Sequence, residues 1–499
     1  MSLSALNPVQ IAEICGGYWL NDILPDFVLT HTVIDSRKMA KNTLFVALKG
    51  SRTDGHIFLA GLDGALQQAA MVSQPDTDIR LPQLCVKDVE KAFQLLAKHI
   101  AHHTRAGKIA ITGSVGKTGT KDMIAAMLAA AGQTHATKGN LNNHLGVPLT
   151  LANMAGDADF LVTEMGMNNA GEIALLSEMV RPDIAIITRI SNAHAGFFES
   201  LSEIAEAKAE IFLGMDGFGT AILPRDDEFY GQLAGSARLS GLRNIISFGT
   251  SQDSTLRLED MAAVQEGLNI TASLPCPDKS RARKTIQFTL GMRGKHYAMN
   301  ALCALAVANA LKLDIDALLP KFADMQESEG RGRLHLLSHK GRNLRLIDDS
   351  YNASPASMLA SLDMAADTDS RHLLLVFSDM LELGEASMAE HLALAPAIEA
   401  AGARNILSIG PMMQACCAKL PGHIAKHSFD TADALIKALE TDLDSLIGEA
   451  DLILVKGSHG SAAYKVSQYL IKKLRDAHTG PAAPEGGVFH AACSASSLC

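Results

Sequence analysis

Ile109-Ala110-Ile111-Thr112-Gly113-Ser114-Val115-Gly116-Lys117-Thr118 is the stretch that decides how this chain is read. The apolar run at 109–112 reads as a buried parallel strand, the glycines as a turn, and Lys121–Gly132 as a helix. Strand, glycine-rich turn and helix in that order make a phosphate cradle. Free backbone N–H groups at the helix start face an anion, and the helix dipole favours negative charge there. Lys117 then reaches the β/γ-phosphates, and the Thr118 hydroxyl sits on Mg²⁺. The pattern G-x-x-x-x-G-K-[ST] is met only in part, because Ile111 stands five before Gly116 and the first glycine is Gly113. A plain glycine turn followed by Lys-Thr is the alternative, and the flanking strand and helix weigh against it.

A chain of 499 residues exceeds one ordinary core, so two to four domains are expected. Apolar content of 47% and charged content of 20% describe a globular protein. A net charge of −10 without a long basic run argues against a nucleic-acid partner. The eight cysteines (15, 85, 276, 303, 416, 417, 493 and 499) form no C-x-x-C pair, which fits buried free thiols in a reducing cytoplasm. The N-terminus lacks the basic and apolar regions of a signal peptide, and no apolar run is long enough for a membrane span. A cytoplasmic location is expected.

Residues 1–87 alternate short apolar runs with helical pieces and read as a small α/β unit. Its polar clusters, Asp35-Ser36-Arg37 and Lys49–His56, suit either a ligand or ordinary turns. The phosphate loop opens a second unit, 88–315. There Phe160–Thr163 reads as a strand ending in Glu164, a place for a Mg²⁺ partner or a solvated acid. Ile184–Thr188 leads to His194 on the same rim. In the helical stretch 200–215, Lys208 shares the apolar face of Leu201, Ile204, Ile211 and Phe212. Snorkelling to solvent is the simpler reading. Burial would instead favour the neutral amine, which can add CO₂ to become a carbamate. Segment 278–284 reads as a solvated hairpin loop, and 294–311 as an apolar helix carrying His296 and Asn300 near its start.

The polar, glycine-punctuated stretch 315–333 reads as a hinge. A third α/β unit, 316–478, follows. Its strands end in Asp348–Asn352, Asp379 and Lys456–Ser458, on the rim where a doubly wound sheet takes ligands. The tail 479–499 is rich in Gly, Ala, Ser and Pro and is expected to be disordered. One phosphate loop, two candidate metal ligands and a hinge to another unit suggest an ATP enzyme that closes around its reactants. Such closure fits ligation, and it excludes neither a kinase nor a motor.

The ordered segments TGSVGKTGTK (112–121), TKGNLNNHLGVPLTL (137–151), EMGMNNAGEI (164–173), ISNAHAGFF (190–198), IAEAKAEIF (204–212), GKHYAMNALCALAVA (294–308), GRGRLH (330–335) and IDDSYNASPASM (347–358) resemble the Mur ligases of peptidoglycan synthesis. The resemblance runs from about Asp35 to about Ser458. It implies three α/β domains: one for the uridine nucleotide, a central ATPase with a parallel-rich sheet, and a C-terminal Rossmann-like domain. DSRKMAKNTLFVALKGSRTDGHIFL (35–59) and DMLELGE (379–385) point to the branch acting on UDP-N-acetylmuramoyl-tripeptide and D-alanyl-D-alanine, through an acyl phosphate made from ATP.

By that resemblance Gly113, Ser114, Val115, Gly116, Lys117, Thr118 and Gly119 hold the phosphates. Thr118, Glu164 and His194 match Mg²⁺ positions, and Lys208 matches a carbamylated lysine holding a second Mg²⁺, against the snorkelling reading. Lys117, Lys208 and His194 would be the catalytic set. Asn300, Arg331 and Asp349 match nucleotide contacts, with Arg333 a competitor for the role of Arg331. Asn142 and Asn143 match muramoyl-peptide contacts, and Ser36 and Arg37 fall in the uridine-nucleotide region. Tyr351, Asn352 and Lys456 are candidates for the dipeptide, and a monomer is expected. The chain departs from the family pattern at Gly119, Ser354, Ser378 and His459, where Ser/Thr, Asn, Gly and Arg are usual. Rival readings are another ATP-dependent amide ligase, such as a folylpolyglutamate synthase, and a non-catalytic P-loop switch.

Overall fold

Short apolar runs separated by helices become three sheets in chain order. The computed structural model describes residues 1–21, 23, 27–50, 53–62, 67–191, 198, 200–264, 267–276 and 283–474. The first sheet has five strands, in the order Tyr18–Leu20, Gln83–Cys85, Ala69–Val72, Thr43–Val46, His31–Val33. All neighbours in it are parallel except the first pair.

The central sheet has nine strands. Six of them, in the order Asn244–Gly249, Thr220–Pro224, Ile184–Ile187, Gly107–Thr112, Phe160–Glu164, Thr134–Ala136, are parallel. Leu256–Val264 joins this array in parallel, and Gly267–Pro275 and Arg283–Leu290 extend it antiparallel. The phosphate-loop strand Gly107–Thr112 lies between strands that come later in the chain on both sides. The strand order therefore reverses at it, and a crevice opens at its carboxyl end. Ile109, Ala110 and Ile111 are fully buried because helices cover both faces, which is why this strand reads as an unbroken apolar run.

The third sheet has six strands, in the order Arg333–His339, Arg342–Asp349, Leu452–Lys456, Leu373–Ser378, Ala403–Ile409, Ala425–Phe429. Only the Arg333–His339 edge is antiparallel. Separate apolar cores fill its two faces.

Joints between the units differ from the expected boundaries. Leu318, Phe322 and Met325 belong to the central core, and the Phe322 ring lies 5.1 Å from that of Phe288. The central unit thus retains its chain past residue 315, and the connecting segment is shorter than expected. Helix Val89–His103 shares one core with Leu3, Leu6 and Ile11 on one side and Val147, Leu151 and Ile173 on the other, so it welds the first unit to the second. At the same joint the Asn153 side chain pairs with the edge strand. Its Oδ1 accepts from Thr32 N and its Nδ2 donates to Thr32 O, both at 2.9 Å.

The helix after the phosphate loop begins at Lys117, four residues before the expected Lys121, and ends at Leu128. The stretch 200–215 is α-helical only over Leu201–Ala209 and tightens to a 3₁₀ turn over Glu210–Phe212. Of the expected loop 278–284, residues 278–282 lie outside the described residues, and Arg283 and Lys284 belong to a strand. The expected disordered tail also lies outside them.

Candidate active site

Strand register aligns the chemistry. Ile111 pairs with Glu164 on one side and with Ile186 on the other, so Thr112, Glu164 and Ile187 end on one rim. Gly116 has φ +87° and caps the following helix, a conformation in which a Cβ would be strained. A Cβ on Gly113 would lie 1.9 Å from Thr188 Oγ1. These two glycines therefore let the loop close against Thr188, whose hydroxyl donates to Val115 O at 2.6 Å. Ser114 is held as well: its N–H donates to Arg189 O at 2.8 Å, and its Oγ accepts from Ser191 N at 3.0 Å.

Lys117 Nζ lies over the loop, 2.6 Å from Gly113 O and 3.3 Å from Ser114 O. Burial holds its pKa below the ordinary lysine value, and the charge of Glu164 opposes that shift. The Thr118 hydroxyl donates to Glu164 Oε2 at 2.7 Å, and Asn142 Nδ2 donates to Glu164 Oε1 at 2.7 Å. Glu164 is 1% exposed. Asn143 Oδ1 accepts from Leu145 N at 3.2 Å and from Gly146 N, at the start of helix Gly146–Ala152, at 2.9 Å.

Lys208 does not snorkel. It is 1% exposed, and its pKa is pushed well below the lysine range, first by burial and then by the charge of Lys117. The helix face was legible in the sequence, but the depth at which that face packs was not. His194 lies outside the described residues. Among the described residues no cluster of three or more His, Cys, Asp or Glu side chains forms a metal cage. A hydroxyl and a carboxylate oxygen in contact nevertheless suit Mg²⁺, which takes one or two protein oxygens together with phosphates and water.

Opposite the phosphate loop stands the rim of the third sheet. Asp349 and Lys456 are register partners on adjacent parallel strands, and Lys456 Nζ lies 2.7 Å from Asp349 Oδ2. That carboxylate oxygen also accepts from Ser361 Oγ at 2.5 Å, and Lys456 Nζ reaches Asn352 O at 3.1 Å. Arg331 lays its guanidinium 4.0 Å over the Tyr351 ring, and its carbonyl accepts from Tyr297 OH at 2.5 Å. Arg333 instead pairs with Glu329 at 3.5 Å. The Asn300 amide is fixed by Thr120, whose hydroxyl donates to Oδ1 at 3.1 Å.

Between the two rims lies a cavity of about 1200 Å³. Of the residues singled out in the sequence, Ser114–Gly119, Asn142, Asn143, Glu164, Asn300, Arg331, Asp349, Tyr351, Asn352 and Lys456 line it. Gly113 lies behind the loop, and Lys208 lies beneath the surface. Ser36 and Arg37 sit apart on the first unit, where Asp35 caps a short turn and Arg37, 87% exposed, pairs with Asp35 at 2.9 Å. The structure does not bring them to the cavity.

Three of the departures acquire local reasons. Ser354 caps the helix Pro355–Ala366 in a reciprocal box with Ser357. Ser378 Oγ lies 2.5 Å from Ser461 Oγ, and His459 stacks on Tyr464 with ring centroids 5.0 Å apart and lies tilted against Tyr351 at 5.6 Å. Residues that the sequence did not single out include Thr188 and Tyr297.

This geometry coincides with similarity along nearly the whole chain. The Mur ligase middle domain matches residues 111–308, and the Mur ligase glutamate ligase domain matches residues 332–459. The UDP-N-acetylmuramoyl-tripeptide–D-alanyl-D-alanine ligase of Escherichia coli K12 is 35% identical over 94% of this chain and 98% of its own. The chain belongs to the Mur ligase family. The correspondingly named Bacillus subtilis protein is 31% identical over 93% of this chain and 98% of its own. Among solved structures, a MurF from Acinetobacter baumannii superposes with a TM-score of 0.79 at 28% identity, covering 93% of this chain and 98% of its own. Thermotoga maritima MurF in complex with ADP, 24% identical with a TM-score of 0.73, shares the Mur ligase fold over 90% of this chain and 99% of its own.

Proposed function

We propose that this Mur ligase uses ATP to join D-alanyl-D-alanine to UDP-N-acetylmuramoyl-tripeptide, giving the pentapeptide precursor of peptidoglycan, ADP and phosphate. The observation that carries the reading is the cavity itself. A phosphate loop on one wall faces a second, ligand-lined rim on the other, in a chain 35% identical to a ligase of that name. A switch protein has no use for the second rim, and a folylpolyglutamate synthase does not explain the match through the first unit.

The donor carboxylate attacks the γ-phosphorus, the bond to the β-phosphate oxygen breaks, and ADP leaves. Once the acceptor ammonium has lost one proton, its nitrogen attacks the acyl carbon, phosphate departs with the electron pair of the C–O bond, and a second proton leaves the nitrogen to give the amide. The loop N–H groups and Lys117 hold the transferred phosphoryl group in place and compensate its charge. Arg331 supplies a second cation from the opposite wall. Thr118 and Glu164 are the residues that would hold Mg²⁺, which spreads the charge of the phosphates when bound. Closure between the walls keeps water from the acyl phosphate.

We assign Lys208 as the carbamylated lysine. Two amines close enough to repel become an attracting pair once Lys208 carries a carbamate, and burial supplies the neutral amine that CO₂ requires. His194 and the carbamate are assigned to the metal as well, and Asn300 and Asp349 to the nucleotide. Ser36 and Arg37 are assigned to the uridine end of a long donor, Asn142 and Asn143 to its peptide, and Tyr351, Asn352 and Lys456 to the dipeptide. The reading includes a cytoplasmic monomer, a first unit over 1–87 and a central unit that opens at 88 and runs past residue 315. ADP and phosphate should form only when both substrates are present. Hydrolysis of ATP at the same rate without them would overturn the ligase reading.

A further inference from the structure

Residues 326–332 join the central unit, whose core holds Met325, to the strand Arg333–His339 of the third sheet. This connecting segment is bonded to both units. On the third-unit side, Gly330 N donates to Asp348 Oδ2 at 3.0 Å, Gly332 N donates to Asp348 O at 2.8 Å, and Gly330 O accepts from Tyr351 N at 2.9 Å. On the central side, Glu327 Oε1 accepts from Arg293 N at 2.7 Å, and Ser328 Oγ donates to Asp122 Oδ2 at 3.0 Å. The Tyr297 hydroxyl makes a third bond there, to the carbonyl of Arg331 itself, at 2.5 Å.

Tyr297 suits that bond. It is 4% exposed, and burial holds its pKa above the ordinary tyrosine value, so the phenol stays a donor. It stands in the first turn of the helix Lys295–Ala310, one turn before Asn300. Its ring lies against the start of the phosphate-loop helix, where a Cβ on Gly119 would be 3.7 Å from Tyr297 Cε1. The phenol thus spans from that helix to the connecting segment. The Arg331 guanidinium stacks on Tyr351, which engages its face and leaves its N–H donors in the plane. Arg331 lines the cavity with Lys117, and its charge adds to burial in lowering the Lys117 pKa, while Glu164 opposes both.

We propose that Tyr297 is a positioning residue, which sets the Arg331 guanidinium against the transferred phosphoryl group by holding the Arg331 carbonyl. This rests on the ligase reading, in which Arg331 is the cation on the wall opposite the phosphate loop. An arginine on a segment between two units is placed by whichever unit grips its backbone. The bonds to Asp348 and Tyr351 alone would let it travel with the third unit. The Tyr297 bond refers it to the helix that carries Asn300, so one central-unit helix fixes both residues. Compensation of charge at a phosphoryl group depends on placement, so the bond bears on turnover more than on capture of ATP.

The test uses the full-length enzyme with ATP, the UDP-tripeptide and D-alanyl-D-alanine as substrates. Tyr297→Phe keeps the ring packing and removes the hydroxyl. It should lower kcat by about tenfold and leave the KM values for all substrates within about twofold. Arg331→Ala should lower kcat by at least about a hundredfold. The deciding variant carries both changes. It should be no slower than Arg331→Ala, because Tyr297 then has no guanidinium to aim. An unchanged kcat in Tyr297→Phe would overturn the assignment. An equal fall with and without Arg331 would also overturn it, leaving Tyr297 a purely structural role. Full turnover in Arg331→Ala would overturn it as well, by removing the group to be aimed. A wild-type enzyme indifferent to the dipeptide would instead overturn the ligase reading on which it rests.

Discussion

At the scale of single residues, the site is governed by where amines are placed. Lys117 and Lys208 come from different helices, yet the charge of Lys117 adds to burial in lowering the Lys208 pKa. Because the Lys208 pKa is depressed, its neutral form is available at lower pH than for an ordinary lysine, and only that form adds CO₂. Enzyme depleted of bicarbonate should therefore lose most of its turnover near pH 7.5 and regain it when bicarbonate is added. Lys208→Arg, which stays cationic, should remain inactive under both conditions, and labelled bicarbonate should show a carbamate resonance only with the wild type. Full activity without bicarbonate would remove the carbamate from the mechanism. Gly119 poses a problem of space: a Cβ there would lie 3.1 Å from Asn300 Nδ2, while Thr120 holds the other end of that amide. Gly119→Ala should shift Asn300 and raise the KM for ATP several-fold with little change in melting temperature, because the strain falls on one polar side chain.

At the scale of elements, parallel register turns distant sequence into one site. Asp349 and Lys456 are 107 residues apart but are neighbours across two strands, and Lys456 is 2% exposed. Asp349→Ala leaves that ammonium buried without its partner, which costs about 3–5 kcal/mol. Chemical denaturation should show this loss, and Asp349→Ala combined with Lys456→Met should recover part of it. An equally stable single variant would mean that solvent reaches Lys456. The same scale explains what could be read in advance. Lys117, Thr118 and Glu164 were legible because strand, glycine turn and helix are local patterns, and because an acid at a strand end points to a rim. Lys208 was legible as a position on a helix face but not as a depth. The three-unit α/β layout followed from the alternation of runs, whereas the exit from the central unit did not. Leu318, Phe322 and Met325 look like hinge residues until the core that takes them is known.

At the scale of the whole molecule, the proposed assignment of Ser36 and Arg37 to the uridine end would have the donor span from the first unit to the cavity, so that reading makes the joint between the first two units matter for catalysis. That joint combines a shared apolar core with one polar clasp, in which the Asn153 amide completes the edge strand His31–Val33 by pairing with both backbone groups of Thr32. Thr32 is 2% exposed, so water does not readily replace those bonds. Asn153→Ala leaves a buried N–H and a buried carbonyl unpaired, each costing about 1–3 kcal/mol. The apolar core remains, so the expected result is a loosened joint and not an unfolded chain. Amide hydrogen exchange should rise over 31–33 and stay unchanged over the phosphate loop. The KM for the UDP-tripeptide should increase while that for ATP does not, because the donor reaches across the joint and the nucleotide does not. Equal changes in both KM values would mean that the clasp stabilises the fold as a whole, and that the first unit aims the donor through its core contacts alone.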